Sequence, residues 1–310
     1  METRRLGSLS ISLVGLGCNN FGIRLDAEKT ERVVHAALDH GINFFDTADV
    51  YGGTRSEEFL GIALGARRDQ AVVASKFGIA IDEQRKGARP EYVKQAVEAS
   101  LRRLGTDRID LYQLHRPDAD VPIADTLGAL DDLVRAGKVR EIGSSNFSVE
   151  QIDQAERAVA KGAARFVSVQ NEYSLLVRDP ETGVLAACAE RHIGFLPYFP
   201  LASGLLSGKY SADGPAPTGV RLAPEAPLTA RFLKPRNVEI AGNLRRFAEE
   251  RGHSLLELAF SWLAQRPAVA SVIAGATSAE QIRANVAAVA WQLTRAELAE
   301  LDRLAPLSAA

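Results

Sequence analysis

A chain of 310 residues whose 37 basic and 39 acidic side chains are well mixed, for a net charge of −2, carries no electrostatic footprint for nucleic acid or an anionic membrane. No stretch approaches the roughly 18 uninterrupted apolar residues that span a bilayer. Two cysteines, Cys18 and Cys188, argue against a disulfide framework and fit a reducing, cytoplasmic compartment.

The first elements alternate. Ser8, Ser10 and Ser12 interleave with Leu9, Ile11 and Leu13, a period-2 pattern that predicts a hairpin with Gly7-Ser8 in its turn. That pattern outweighs the faint imitation of a secretion leader by Arg4-Arg5 ahead of Cys18. Leu13 to Gly17 follows as a barrel strand, and Asp26-Ala27-Glu28 opens a helix that runs to His40. Ile42 to Phe45 is a short apolar run bounded by Gly41 and Asp46, the signature of a strand buried on both faces; Tyr51 lies beyond it in a Gly-rich loop. Ser56 is expected to cap a helix through Leu64, with Glu57 and Glu58 in its first turn.

Val72 to Ser75 is the next buried strand, with Lys76 at its end, and Arg89-Pro90-Glu91 starts a helix to Leu104. Ile109 to Leu114 is a strand ending in His115, followed by an amphipathic helix, Ile123 to Ala136, stopped by Gly137. Val139 to Gly143, Phe166 to Gln170 and Gly194 to Tyr198 read as the fifth, sixth and seventh strands, separated by helices at Val149 to Ala160 and Val184 to Arg191. Pro200 to Asn237, rich in Pro, Gly and Ala, is too long for an ordinary connector and reads as a functional loop. Val238 to Arg251 and Leu255 to Gln265 are helices, Val269 to Ile273 the eighth strand, and Ala279 to Ala288 and Thr294 to Leu304 the last helices.

Eight strands alternating with helices predict one (β/α)8 TIM barrel over residues 1–310, with the N-terminal β-hairpin and two extra helices as additions. Three successive strands then place ionisable groups at the end where barrel active sites sit: Asp46 with Tyr51, Lys76, and His115. A phenol needs a nearby cation to titrate near neutrality, so Lys76, paired with Asp46, is expected to lower the Tyr51 pKa for acid–base work. The plainer reading makes Asp46 and Lys76 a buried ion pair, and Tyr51 and His115 satisfied polar residues; four such groups at strand ends favour chemistry.

These segments resemble the aldo-keto reductase family. The residues that carry the likeness are Gly41 to Gly61, Ser75-Lys76, Asp110 to Asp118, Gly137 to Phe147, Gln170 to Tyr173, Pro197 to Tyr210, and Gly275 to Ser278 with Gln281 and Asn285. Within the family the chain resembles bacterial-type members related to the potassium channel β subunits. It implies NAD(P)H-dependent reduction of aldehydes or ketones, with a catalytic tetrad of Asp46, Tyr51, Lys76 and His115 in which Tyr51 is the general acid and His115 orients the carbonyl. The alternative is a low-turnover, cofactor-binding redox sensor or regulatory subunit; His115 speaks against it, because the channel subunits carry Asn there. From another class, a barrel isomerase or lyase would use Lys76 as a Schiff base.

No Gly-x-Gly-x-x-Gly opens a helix after a strand, so a Rossmann site is excluded; Gly15-x-Gly17 is a decoy, and Gly204 to Tyr210 fails as a P-loop. The resemblance instead implies that Ser145, Asn146 and Gln170 hold the nicotinamide carboxamide while Tyr198 stacks on its ring. Gly17, Cys18, Asn19 and Asp46 border the same cofactor. A covering loop over about residues 200–237 would bring Phe199, Pro200, Leu201, Ser203, Lys209 and Arg221 to the pyrophosphate. Gly275, Ser278, Gln281 and Asn285 would meet the adenine and 2′-phosphate. NADPH is the expected cofactor, but the chain departs from the family where many members offer Lys at Gly275, Arg near Ser278 or Gln281, Glu at Ala284 and Ser at Phe199, and the sparse positive charge leaves NADH open. Phe21, Tyr51 and Trp291 are candidate walls for a small carbonyl substrate; no metal, nucleic acid or membrane is expected, and the chain is expected to be a monomer or weak homo-oligomer.

Overall fold

The hairpin forms as its alternation demands. In a computed structural model that describes residues 1–210, 222, 226 and 228–307, strands β1 (Thr3–Leu6) and β2 (Leu9–Ser12) pair antiparallel, closing with Leu6 opposite Leu9. Leu6, Leu9 and Ile11 are buried, while Ser10 faces solvent. Ser12 breaks the alternation: its buried hydroxyl donates to Val14 O at 2.7 Å and accepts from Asn43 N at 3.1 Å, stitching the hairpin to the barrel.

Eight parallel strands follow: β3 (Val14–Gly17), β4 (Phe44–Asp46), β5 (Val72–Phe77), β6 (Ile109–Leu114), β7 (Val139–Ser145), β8 (Phe166–Gln170), β9 (Gly194–Phe195) and β10 (Val272–Gly275). They lie in the order β10-β3-β4-β5-β6-β7-β8-β9. The two ends meet where Phe195 N donates to Ala268 O at 2.7 Å and Ala270 N to Phe195 O at 2.9 Å. The fold is the (β/α)8 barrel that the alternating pattern predicts.

Helices α1 (Ala27–Asp39), α2 (Arg55–Leu64), α3 (Pro90–Leu104), α4 (Ile123–Arg135), α5 (Val149–Ala158) and α6 (Val184–Glu190) connect successive strands. The long connection after β9 contains a 3-10 turn (Ala202–Ser207) and a one-turn helix α7 (Thr229–Phe232), followed by α8 (Pro235–Glu249) and α9 (Leu255–Ala264). Helices α10 (Ala279–Ala287) and α11 (Arg295–Leu304) complete the described chain. None of the described helices is long and apolar enough to cross a membrane.

Several boundaries differ from the sequence expectation, each for a physical reason. The seventh strand stops at Phe195 because Pro197 has no N–H for the ladder. The eighth starts at Val272, since Val269 is used in closing the barrel. Helix α8 begins at Pro235, three residues before the expected start, with the proline at its first position, where the missing N–H costs nothing. Ser56 caps nothing: Thr54 is the N-cap, at φ 79°, and the Ser56 hydroxyl donates to Cys18 O at 2.9 Å.

The main core lies between sheet and helices; Val33, Val93, Leu130, Phe195 and Trp262 are among its buried members. A second cluster fills the barrel's N-terminal end, where Leu6, Leu9 and Ile11 of the hairpin meet Phe44, Val72, Leu111 and Leu196. The opposite, C-terminal end is left for the site.

Candidate active site

Strand β4 ends at Asp46 and β5 carries Lys76, so the parallel register brings both into the barrel mouth. The Lys76 Nζ donates to Asp46 Oδ2 at 2.7 Å and to Thr47 O at 2.8 Å, fully buried. Asp46 Oδ1 accepts from Gln170 Nε2 at 2.9 Å. The loop to Tyr51 is pinned by Thr47 N to Ala74 O (2.9 Å), Asp49 N to Lys76 O (3.1 Å) and Tyr51 N to Ala48 O (3.1 Å). Those bonds place the Tyr51 ring with its centre 5.1 Å from the Lys76 ammonium and 5.8 Å, edge to face, from the His115 ring. All four expected groups therefore converge.

Their electrostatics differ from the expectation in one respect. Burial raises the Tyr51 phenol above its ordinary range, and the Lys76 charge only partly opposes this, so the phenol is held protonated at neutrality instead of being brought towards it. Burial pulls Lys76 down, but Asp46 and Tyr51 outweigh it and hold the ammonium above its ordinary range. Burial, with the charges of Lys76 and Arg116, pushes His115 down to about 2, so its ring is a neutral hydrogen-bonding group; its Nδ1 is buried without a partner among the described residues.

A cleft of about 480 Å³ opens above these groups. Tyr51, His115 and Asp46 form its floor, and Lys76 supports the floor from behind without lining the space. Of the expected cofactor residues, Gly17 and Asn19 line the cleft from the end of β3; Ser145, Asn146 and Gln170 line it from β7 and β8. Tyr198, Phe199, Pro200, Leu201, Ser203 and Lys209 form one wall, and Gly275, Gln281 and Asn285 another. Two expected residues stay out. Cys18 is buried with its thiol turned to Leu16 O at 3.6 Å, and Ser278 is committed as the N-cap of α10. Arg221 lies outside the described residues. The proposed walls Phe21 and Trp291 also stay out: Phe21 is fully buried, and Trp291 stacks on His253 with ring centres 4.0 Å apart.

The sequence of the Aldo/keto reductase family, as a profile, matches residues 13–306. The chain belongs to this family. It is 35% identical over 300 residues to a probable voltage-gated potassium channel subunit beta of Arabidopsis thaliana, covering 93% of this chain and 91% of that one. It is 33% identical over 305 residues to probable aldo-keto reductase 1 of Glycine max, covering 96% and 86% respectively. A rice (Oryza sativa subsp. japonica) relative, named as another probable voltage-gated potassium channel subunit beta, is 35% identical over 300 residues, covering 93% and 91%. Membership in the aldo/keto reductases supports an oxidoreductase activity on carbonyl compounds.

The cleft of this aldo/keto reductase also contains residues that the sequence pattern does not single out. Arg24, Arg116 and Arg231 bring cations to it, Asn20 and Thr277 flank Gly275 and Gln281, and Leu256 reaches in from α9. Arg116 directly follows His115 and was findable; nothing in the pattern of α9 singles out Leu256. The donor set suits a nicotinamide dinucleotide. The Ser145 hydroxyl donates to Gln170 O (2.7 Å), Asn146 Nδ2 to His115 O (3.0 Å), and the Tyr198 hydroxyl to Asn146 Oδ1 (2.8 Å), a fixed amide-and-hydroxyl edge beside an aromatic ring. The turn beyond it takes positive φ at Phe199 (52°), Ala202 (45°) and Ser203 (57°), and the buried Ser203 hydroxyl has no partner among the described residues. An orphaned hydroxyl in a cleft that Lys209 also lines suits a phosphate oxygen. At Gly275 a Cβ would come within 3.0 Å of Asn20 Nδ2, so the bare backbone keeps that end of the cleft open.

Proposed function

We propose that the protein reduces small aldehydes or ketones to alcohols with NADPH, with Tyr51 as the general acid. The observation that carries this reading is the convergence of a protonated Tyr51, the Asp46–Lys76 pair and a neutral His115 on one cleft floor. Ser145, Asn146 and Gln170 would hold the nicotinamide amide, Tyr198 its ring, Ser203 and Lys209 the pyrophosphate, and Gln281 and Asn285 the adenosine end. Once bound there, the cofactor would supply the hydride to the carbonyl carbon.

The chain's own groups manage the oxygen. Neutral His115 donates a hydrogen bond that fixes the carbonyl oxygen beside the Tyr51 hydroxyl. As negative charge develops on that oxygen, Tyr51 gives up its proton, and the phenolate left behind faces the Lys76 ammonium. Asp46 holds Lys76 in place and keeps it charged. Because the Tyr51 phenol is protonated near neutral pH, the form present there is the proton donor that reduction requires.

Two relatives are named as channel β subunits, which raises the reading of a cofactor-binding partner with little turnover. His115, packed against Tyr51, favours turnover. A stopped-flow experiment decides. NADPH and NADH are mixed separately with the protein, cofactor fluorescence is followed, and 4-nitrobenzaldehyde is then added. NADPH binding with aldehyde-dependent oxidation is expected, and Tyr51→Phe should keep cofactor binding while losing about 10²–10⁴-fold in turnover. Full activity in Tyr51→Phe removes the assigned acid. Binding of neither nucleotide overturns the proposal, and tighter NADH binding reassigns the cofactor.

A further inference from the structure

The charge balance of the cleft is one-sided. Arg24, Arg116, Lys209 and Arg231 line it, against a single acid, Asp46, among the described residues. Asp46 is spent on Lys76 and Gln170. Two of the cations are committed as well: Arg231 pairs with Glu172, and Arg24 has partners of its own. Lys209 has no ion pair or hydrogen bond among the described residues, but it lines the wall assigned to the pyrophosphate. Arg116 lies next to His115 instead. It is exposed, and among the described residues it has no ion pair and no hydrogen bond.

Its position is nevertheless fixed. It follows His115, whose N–H donates to Phe77 O at 2.8 Å and whose carbonyl accepts from Asn146 Nδ2 at 3.0 Å. Pro117 follows it and biases residue 116 to an extended backbone. Asp118, the nearest acid in the chain, is occupied with the backbone N–H groups of Ala88 (2.8 Å) and Asp120 (3.0 Å) and leaves the guanidinium alone. An unpaired guanidinium is thus rooted one residue from the imidazole that faces Tyr51, in the same cleft.

We propose that Arg116 selects carbonyl substrates that carry an oxyanion group, carboxylate or phosphate, a few bonds from the carbonyl. A guanidinium offers such a group two parallel N–H donors, and Asp46, the one carboxylate among the described lining residues, is held by Lys76 and Gln170. The group would lie at the cleft mouth while His115 and Tyr51 hold the carbonyl oxygen. This assignment rests on the reductase reading given above, and it adds a substrate class to it.

The test compares three aldehydes of one shape: 4-carboxybenzaldehyde, 4-formylphenyl phosphate and the neutral methyl 4-formylbenzoate. For each, kcat/KM is measured with the unaltered protein, Arg116→Gln and Arg116→Lys, at low and high salt. The expected result is an acid-to-ester ratio that falls about tenfold in Arg116→Gln, mostly through KM of the acid, and is largely kept in Arg116→Lys. Comparing ratios between variants cancels the intrinsic reactivity of the aldehydes and any general loss of folded protein. The ratio should also shrink with salt in the unaltered protein. A response of the carboxylate alone, or of the phosphate alone, supports the proposal and identifies the group. Ratios that are the same in the unaltered protein and Arg116→Gln overturn it while the ester is still reduced. Reduction of none of the three would instead count against the reductase reading.

Discussion

His115 and Asp49 are displaced from their ordinary titration ranges in opposite senses. His115 is pushed down to about 2 by burial and by the charges of Lys76 and Arg116. Asp49 is pushed up to about 7, by burial and then by Glu57, with Arg103, the Val50 backbone N–H and Lys76 opposing. Below pH 6.5 an unfolded His115 would be protonated while the native one is not, so its contribution to stability is present above 6.5 and lost on acidification. Asp49 does the reverse: native Asp49 keeps a proton that the unfolded one has released above 3.8, so its contribution is lost as pH rises towards 7. Across roughly pH 4 to 6.5 the two slopes oppose and nearly cancel. Urea midpoints over this range should separate them. In Asp49→Asn stability should fall on acidification, by up to about 1.4 kcal/mol per pH unit, and in His115→Gln it should fall as pH rises. Parallel profiles in the two variants would refute these assignments. Asp46, Tyr51, Lys76 and His115 were legible in the sequence because apolar runs fix where strands end. Asp49 was not, because no periodicity says which way a loop carboxylate points.

At the scale of elements, packing overrides propensity where α2 crosses α3. A Cβ added at Gly61 would lie 2.3 Å from Leu104 O, at the end of α3, and a backbone carbonyl cannot swing aside. Propensity alone would make Gly61→Ala stabilising by about 1 kcal/mol. The close approach should reverse the sign, for a net loss of about 1–3 kcal/mol, read from the urea midpoint. A higher midpoint would mean that α2 can shift away. Strands were readable where apolar residues dominate a short stretch, as in Val72 to Ala74 of β5 and Phe166 to Val169 of β8. Helix ends were readable where Pro or Gly marks them, as at Pro90. The misread ends depend on tertiary events: Thr54 enters α2 in a left-handed conformation, and Val269 leaves the expected strand to close the barrel. Three capping boxes, at Ser148, Ser254 and Thr294, set the starts of α5, α9 and α11.

At the scale of the whole molecule the hairpin is a structural cover. Arg4 ties it to the far side of the chain through Ala264 O (2.7 Å) and Val269 O (2.6 Å), and Leu6, Leu9 and Ile11 seal the barrel's lower cluster. Leu9→Ala should cost about 2–5 kcal/mol of stability by equilibrium unfolding, as a core truncation does, although the residue belongs to a two-stranded appendage. A loss below about 1 kcal/mol would show the hairpin to be dispensable. The barrel count and the cover's pattern were both legible in the sequence, but which end the cover closes depends on contacts far apart in the chain. With the barrel's other end sealed, whatever enters the cleft comes and goes on the side of the strands' C-terminal ends, where Tyr51 and His115 stand.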